Sequence, residues 1–304
     1  MNPIPLRDRI TAEFERLSPE LQRAARWVND HPVELVTQSM RRSAMAAGVA
    51  PATMTRLAQA LGYRGFDDMR TPEVQQAVVL ASNFASKAAH QQAAKALQGQ
   101  SPSAWQDLVH DQVANITQGL DRNRVDTLEA VADALIGARQ VLCLGLRAAH
   151  GIAMHLHYSC NLLLPNVGLA QSAAGTLRDQ IWALQANDVL VVVGVSPYTR
   201  ETVQLAQLAA AQGCAVVAIT DSALGPLAQV ARHTLLVKSS SPAFFHSLVG
   251  AQAMAEAITA TVAARGGAAV MQRLTQLETR LNQEHLYWEK PAQRQLPPPQ
   301  SPAS

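Results

Sequence analysis

The stretch VLVVVGVSPYTRETVQLAQLAAAQ, residues 189–212, predicts a strand, a tight turn and a helix in succession. Five consecutive apolar residues, 189–193, are typical of a strand that is buried on both faces. Residues 194–197 interrupt the run, and 199–212 carry apolar side chains at helical spacing. The first N–H groups of such a helix have no partner inside it, so this turn can bind an anion. Ser196 and Thr199 either add two hydroxyl groups to that site or only cap the helix.

Composition sets the broad class of the protein. The chain has 304 residues, of which 48% are apolar and 16% charged, which favours two domains with real cores and excludes wholesale disorder. A net charge of +2 leaves nucleic-acid binding open, because basic residues can be concentrated locally. Three cysteines lie far apart in apolar segments and indicate reduced core residues. Without a signal segment or a long apolar run, we expect a soluble, cytoplasmic protein that does not contact a membrane.

Strands and helices alternate through the second half of the chain. Predicted strands cover 141–144, 167–169, 189–193, 214–220 and 234–237, with helices over 150–164, 176–184, 199–212, 247–265 and 269–288. This alternation predicts an α/β domain with a five-stranded parallel sheet and helices on both faces. Ligands of such sheets bind outside the carboxyl ends of the strands, where Gly145, Ser196 and Thr220 are expected.

Two short helices joined by a turn with glycine are predicted in the first part of the chain. Ser39 can cap a helix over 40–47 that ends at Gly48, and Pro51 starts a helix that runs to residue 61. In the second helix Met54, Leu57, Ala58 and Leu61 form a buried stripe, which leaves Thr53, Thr55, Arg56 and Gln59 on or near the outer face. The pattern is that of a helix-turn-helix, although a small helical bundle would show it too.

Charge favours the first of these two interpretations. Residues 38–66 contain four arginines, Arg41, Arg42, Arg56 and Arg64, and no aspartate or glutamate. Phosphates are the expected recipients of this local positive charge, although the arginines could equally be solvated. We therefore expect an all-α head over residues 1–77, a helical linker over 78–125, an effector-binding α/β domain over 126–290 and a disordered Pro-rich tail over 291–304.

Nearly the whole chain, residues 6–288, resembles the RpiR family of bacterial transcriptional regulators. The resemblance is carried by LSPELQRAARWVNDHPVELVTQSM at 17–40, by AAGVAPATMTRLAQALGYRGFDDMR at 46–70, by GVSPYT at 194–199 and by ITDSALGPLA at 219–228. It implies a helix-turn-helix followed by a SIS domain, a flavodoxin-like sugar-isomerase fold that binds phosphorylated sugars. It also implies a DNA-binding regulator rather than an enzyme. We expect no cofactor, and no metal site, because the histidines at 150, 155 and 157 lack an acidic or thiol partner at ligand spacing.

The sequence departs from the SIS pattern at the phosphate loops. Alanines 148 and 149 stand where serines are usual, Gly194 replaces the first serine of the second loop, and Pro197 replaces a glycine. Ser196 and Thr199 therefore remain as hydroxyl contacts, and Arg147 is a new forked donor for an anion unless it forms an ion pair at a subunit interface. The predicted effector site comprises Gly145, Arg147, Ser196, Thr199 and Thr220. Its ligand is a phosphosugar or another small anionic metabolite, unless the domain is purely structural.

The predicted function is a homodimeric or homotetrameric regulator that binds a double-stranded operator. Arg56 and Thr53 are the first candidates for base contacts, Thr55 and Gln59 the second, and the arginines at 41, 42 and 64 are expected on phosphates. The oligomer is inferred from the strongly apolar helices over 150–164 and 247–265. The alternative is a sugar-phosphate isomerase, whose general base would be His150 or the pair Glu284 and His285.

Overall fold

The computed structural model describes residues 6–71, 84–85, 87–89, 91–92 and 103–288. The described residues between 84 and 92 are helical, whereas the other residues of the predicted linker up to residue 102 lie outside the described residues. The tail at 291–304, expected to be disordered, lies wholly outside them.

Five helices form the head. They are α1 (Leu6–Glu13), α2 (Pro19–Asp30), α3 (Pro32–Thr37), α4 (Met40–Ala47) and α5 (Pro51–Ala60). The Oγ atom of Ser39 accepts a hydrogen bond from the backbone N of Arg42, as its capping position predicts. Gly48 ends α4 with a φ of 64°, a left-handed conformation that glycine adopts without steric cost. The sequence pattern predicted α4 and α5, and residues 18–19 (Ser-Pro) also predict the start of α2, whereas α1 was not predicted.

One apolar cluster holds these helices together. It includes Ile10 of α1, Val28 of α2, Ala44 of α4 and Leu57 of α5, all at most 1% exposed. The predicted stripe on α5 is buried in this cluster, so burial of one face fixes which face of α5 remains outside.

The sheet has five parallel strands in the order β2-β1-β3-β4-β5. They are β1 (Val141–Gly145), β2 (Val167–Leu169), β3 (Val189–Gly194), β4 (Ala215–Thr220) and β5 (His233–Leu236). The predicted five-stranded parallel sheet is confirmed. The strand order reverses between β1 and β3, which are paired with Gly145 opposite Val193. This switch point is where α/β sheets of this order bind ligands.

Both faces of the sheet are covered. Val189, Val191 and Val193 of β3 pack into one apolar cluster, and Leu190 and Val192 pack into another. The five-residue apolar run is explained by this arrangement, because alternate side chains of a strand point to opposite faces and both faces are buried here.

From residue 103 onward, the described chain contains seven further α-helices. They are α6 (Ser103–Asp121), α7 (Val125–Gly137), α8 (His150–Leu163), α9 (Leu177–Trp182), α10 (Arg200–Ala211), α11 (Val249–Arg265) and α12 (Gly267–Gln283). Helices α7, α8 and α11 contribute to the first cluster, and α9 and α10 contribute to the second. The last helix ends at Gln283, earlier than the predicted residue 288.

The apolar helix α11 does not need a partner subunit to account for its composition. Its buried face, which includes Met254, Ile258 and Val262, packs within the chain, where α11 contacts α6, α7 and α8. Packing within the chain therefore explains the hydrophobicity of α11, and a subunit contact at this helix stays a prediction. On α8, in contrast, Met154 and Tyr158 are 52% and 61% exposed, so that helix keeps an apolar surface.

The three cysteines are buried and unpaired. Burial raises the pKa of the Cys160 thiol to about 12 and that of the Cys214 thiol to about 11. Because the thiolate is the reactive form, these side chains are poor nucleophiles in the folded protein. In the part of the chain that the structure describes, no helix is both long enough and apolar enough to cross a bilayer.

Candidate nucleic-acid interface and effector site

Three arginines surround the exposed face of the helix-turn-helix. Arg41 and Arg42 lie on α4 and Arg56 lies on α5, and all three side chains are exposed. None of them forms an ion pair with another described residue, so each presents a full positive charge to solvent. Arg23 of α2, which sequence reasoning missed, donates to the backbone O of Gly48, in the turn between α4 and α5, at 3.4 Å.

Thr53 is not on the outer face of α5, and that expectation is wrong. Its side chain is 2% exposed, and its hydroxyl donates to a carboxylate oxygen of Glu20 at 3.0 Å. Glu20 belongs to α2, which packs along α5 and covers this edge of the helix. Thr55 is half-buried and its hydroxyl donates to Sδ of Met40 at 3.4 Å, whereas Gln59 is exposed beside Arg56.

Arg64 differs from the other three arginines because it has an acidic partner. Its Nη2 atom lies 3.1 Å from Oδ1 of Asp68, and its backbone N donates to Oδ2 at 2.8 Å. These hydrogen bonds lower the pKa of the Asp68 carboxyl group, so the carboxylate stays ionised at neutral pH. Arg64 therefore offers a phosphate less net positive charge than Arg41, Arg42 or Arg56.

The turn after β3 keeps its predicted hydroxyl groups available. Ser196 is exposed, and Thr199 is half-buried at the N-cap of α10 without a side-chain capping hydrogen bond. Neither hydroxyl bonds to another residue within the described ranges. The alternative that Thr199 only caps the helix has no support in this geometry, and both groups remain available to an external acceptor.

Gly145 is required by close packing at the end of β1. A Cβ atom at this position would lie 2.4 Å from the backbone O of Ala149 and 3.0 Å from Cβ of Ala153. Arg147, two residues further on, is exposed and adopts a positive φ of 54°. Its guanidinium forms no ion pair with another residue of the described chain, so it remains available to an anion or to a partner subunit.

Thr220 lies at the end of β4 as predicted, but its side chain does not reach the surface, so a direct contact with an effector would require Tyr198 to move. Thr220 is fully buried, and its hydroxyl oxygen lies 3.3 Å from the phenolic oxygen of Tyr198, which covers it. Burial raises the pKa of Tyr198 above its ordinary value, and the adjacent Asp221 charge adds to this effect. Tyr198 therefore stays protonated and acts as a donor.

Asp221 occupies the centre of the site, and sequence reasoning missed it. Its Oδ1 atom accepts from the hydroxyl of Tyr198 at 2.8 Å and from the backbone N of Ser196 at 3.2 Å. Its Oδ2 atom accepts from Nη1 of Arg7 at 2.7 Å. Asp221 lies in the segment 219–228, but no sequence pattern links it to Arg7, which is 214 positions away in the chain.

A histidine close to Asp221 was also missed. The Nδ1 atom of His246 is buried without a hydrogen-bond partner, and Phe245 next to it stacks on Phe84 with ring centroids 5.2 Å apart. Burial lowers the pKa of His246, and the negative charge of Asp221 partly opposes that shift. The surroundings of Asp221 thus include groups from the head, the sheet edge and the segment before α11.

The residues suggested for an isomerase do not form a catalytic group. Nδ1 of His150 lies 3.2 Å from the backbone O of Gly145, which explains this side chain as part of the turn. Glu284 and His285 are exposed at the end of α12. The carboxylate next to the loop is that of Asp221, and the hydrogen bonds to Arg7, Tyr198 and Ser196 already engage both of its oxygens.

A cavity of about 610 Å³ lies elsewhere, against α12. Its lining includes Arg139, Asn166 and Arg273, and it contains none of the predicted effector residues. Arg139 pairs with Asp188, and Arg273 donates to the backbone O of Asn161 at 2.8 Å. Asp188 neutralises Arg139, whereas Arg273 keeps its charge, and the cavity lies apart from the predicted effector residues.

Both parts of the chain match known families. Residues 4–78 match the helix-turn-helix domain of the rpiR family, and residues 134–271 match the SIS domain. The chain belongs to the RpiR family. The resemblance inferred from the sequence is confirmed. The five-stranded sheet lies within the SIS match, and helices α1 to α5 lie within the helix-turn-helix match.

Relatives of this RpiR-family chain include regulators. The transcriptional regulator HexR of Pseudomonas aeruginosa is 26% identical over 230 residues, which cover 74% of this chain and 75% of HexR. The bifunctional protein glk of Paraburkholderia xenovorans is 25% identical over 218 residues, but these cover 71% of this chain and 32% of that protein.

Two solved structures are similar in fold. The sugar isomerase domain of an RpiR transcription factor from Sphaerobacter thermophilus is 25% identical, with a TM-score of 0.54, and the match covers 57% of this chain and 96% of that domain. The NanR protein of Vibrio vulnificus, solved with ManNAc-6P, is 17% identical with a TM-score of 0.56, and the match covers 92% of this chain and 98% of NanR.

Proposed function

We propose that this protein is a DNA-binding transcriptional regulator that senses a small anionic metabolite through its SIS domain. The observation that carries the DNA-binding half is the face formed by Arg41, Arg42 and Arg56, three exposed and unpaired cations on a helix-turn-helix. In such a motif the second helix enters the major groove, where side chains read base edges. Here α5 presents Arg56 and Gln59 for this role.

The remaining arginines fit contacts to the DNA backbone. Arg41 and Arg42 are placed on α4, which crosses the phosphates in this type of domain, and Arg23 lies next to the turn. A homodimer or homotetramer brings two α5 helices to the half-sites of a near-palindromic operator in the bacterial cytoplasm. The division of the chain at residues 77 and 125 remains a prediction of the sequence.

A salt titration tests the DNA-binding half. With operator fragments selected from random duplexes, affinity measured by fluorescence anisotropy is expected to fall roughly a thousandfold between about 50 and 200 mM salt, because phosphate contacts release counterions. Turnover of aldose and ketose phosphates by the same preparation is expected to be absent. Lack of duplex binding even at low salt would contradict this function, and sugar-phosphate turnover would support the isomerase instead.

The sensing half is supported by the turn at the switch point of the sheet. Ser196 and Thr199 offer free hydroxyl groups beside the start of α10, and Arg147 adds an unpaired cation at the end of β1. HexR is an HTH-type transcriptional regulator that aligns with 74% of this chain, and NanR, similar in fold over 92% of the chain, was solved with the phosphorylated amino sugar ManNAc-6P. A phosphosugar is therefore the first ligand class to examine.

A thermal-shift screen of sugar phosphates, sugar acids and inorganic phosphate tests the sensing half. A ligand present at about a hundred times its Kd stabilises the protein by about 2.7 kcal/mol, which raises Tm by several degrees. Ser196→Ala or Arg147→Ala is expected to reduce that rise strongly, because each removes a donor to the anion. Arg16→Ala, an exposed surface change in the head, is the matched control and is expected to leave the rise unchanged.

A further inference from the structure

The carboxylate of Asp221 joins the proposed effector loop to the helix-turn-helix head. One oxygen accepts from Ser196 and Tyr198 at the loop, and the other accepts from Arg7 of α1. The Asp221 side chain is 5% exposed, whereas that of Arg7 is 36% exposed. The Asp221 end of the ion pair is therefore shielded from solvent, whereas the Arg7 end is accessible to solvent.

An anion bound at this loop needs the same donors that Asp221 uses. The backbone N–H of Ser196 is the loop donor that a phosphate oxygen would take next to the hydroxyl groups, and it now points to Oδ1 of Asp221. A single N–H cannot donate fully to two acceptors. The carboxylate of Asp221 and an anion bound at the same N–H group also repel each other strongly in a partly buried site.

We propose that an anionic effector displaces Asp221 from the loop and thereby breaks its ion pair with Arg7, so that Arg7 transmits binding to the head. This inference rests on the proposed sensing function of the loop. Both oxygens belong to one planar carboxylate, so a displacement of the group that moves Oδ1 away from Ser196 also shifts Oδ2 relative to Arg7.

A second contact joins the segment after β4 to the head. Leu224, three residues after Asp221, is 9% exposed and belongs to the apolar cluster of the head. Movement of the 221–224 segment therefore changes both a charged and an apolar contact of the head. The loop, the segment after β4 and α1 form one continuous path from the proposed anion site to the DNA-binding domain.

Distance measurements on the full chain test this path. Spin labels on Met45→Cys in α4 and Asp179→Cys in α9 report the position of the head relative to the sheet, since both sites are exposed and the native cysteines are buried. Labelled protein is diluted into an excess of unlabelled protein, so that distances between subunits do not contribute. Inorganic phosphate is the probe, and its affinity is measured in parallel by thermal shift.

The expected results differ between the two partners of the ion pair. In the unsubstituted background, saturating phosphate changes the label distance. Asp221→Asn shows the changed distance without phosphate and binds phosphate at least about fivefold more tightly, the factor that one charge contact at about 4 Å represents even in bulk water. Arg7→Ala also shows the changed distance without phosphate and gives no further change when phosphate binds. Arg16→Ala, the matched control, responds like the background.

Each negative result would contradict a different part of the proposal. If neither phosphate nor any sugar phosphate raises Tm, the proposed sensing function fails and this inference fails with it. If phosphate binds but the label distance stays constant, or if Arg7→Ala still responds, the sensing function stands and the role of Arg7 is overturned. Weaker phosphate binding by Asp221→Asn would overturn the competition between the carboxylate and the effector.

Discussion

Arg56→Ala is expected to weaken operator binding by about ten- to a hundredfold, because a bidentate arginine–base contact contributes about 1–3 kcal/mol. Arg56 is exposed on α5, and no described acidic group neutralises it. The loss is expected at one base position of the selected operator, so specificity there relaxes as affinity falls. Anisotropy titrations on the operator and on single-base variants, at one fixed salt concentration, measure both effects.

Arg64→Ala is the matched control for this prediction. Arg64 is also an exposed arginine of the head, but its guanidinium is paired with Asp68. Its removal is expected to cost much less affinity and to leave base preference unchanged, whereas Arg42→Ala should reduce the slope of log affinity against log salt by about one. Equal losses for Arg56→Ala and Arg64→Ala, with no change in base preference, would show that α5 does not read the groove.

The hydrophobic pattern of α5 was sufficient to place Arg56 but not Thr53. Arg56 lies opposite the stripe formed by Met54, Leu57 and Ala58, so any packing of that stripe leaves it outside. Thr53 lies at the edge of the stripe, one turn before Leu57. Whether an edge position is covered depends on the neighbouring helix, here α2 with Glu20, and the pattern of a single helix does not contain that information.

Helix α1 illustrates a different limit. It is short, its first turn carries few apolar residues, and most of its stability comes from packing rather than from local propensity. The sequence therefore gave no reason to connect Arg7 with the loop after β4. The sheet was predictable because runs such as 189–193 identify buried strands by themselves, and the carboxyl ends of neighbouring parallel strands then have to meet.

Gly145 was included in the effector site for its position alone, and the structure supplies the physical reason for a glycine. Any side chain there would place Cβ 2.4 Å from the backbone O of Ala149, within the turn that carries Arg147. That contact involves backbone on both sides, so rotation of a side chain cannot relieve it. The turn between β1 and α8 would have to move, at the point where the strand order reverses.

Gly145→Ala is therefore expected to lower the free energy of unfolding by about 1–3 kcal/mol, the usual cost of forcing an extra group into packed structure. The same change is expected to abolish the rise in Tm with the effector anion, since it displaces Arg147. Thermal unfolding followed by circular dichroism, with and without the anion, measures both effects on one sample.

Gly151→Ala provides the matched control on the same turn and helix. Gly151 is the second residue of α8, it is exposed, and nothing lies within 4 Å of an added Cβ. Alanine at that position restricts the unfolded chain and favours the helix, so we expect stability to be unchanged or to rise by up to about 1 kcal/mol. If both alanine variants were equally stable and responded equally to the anion, close packing at Gly145 would not shape the site. A response lost only in Gly145→Ala would place the anion at the end of β1.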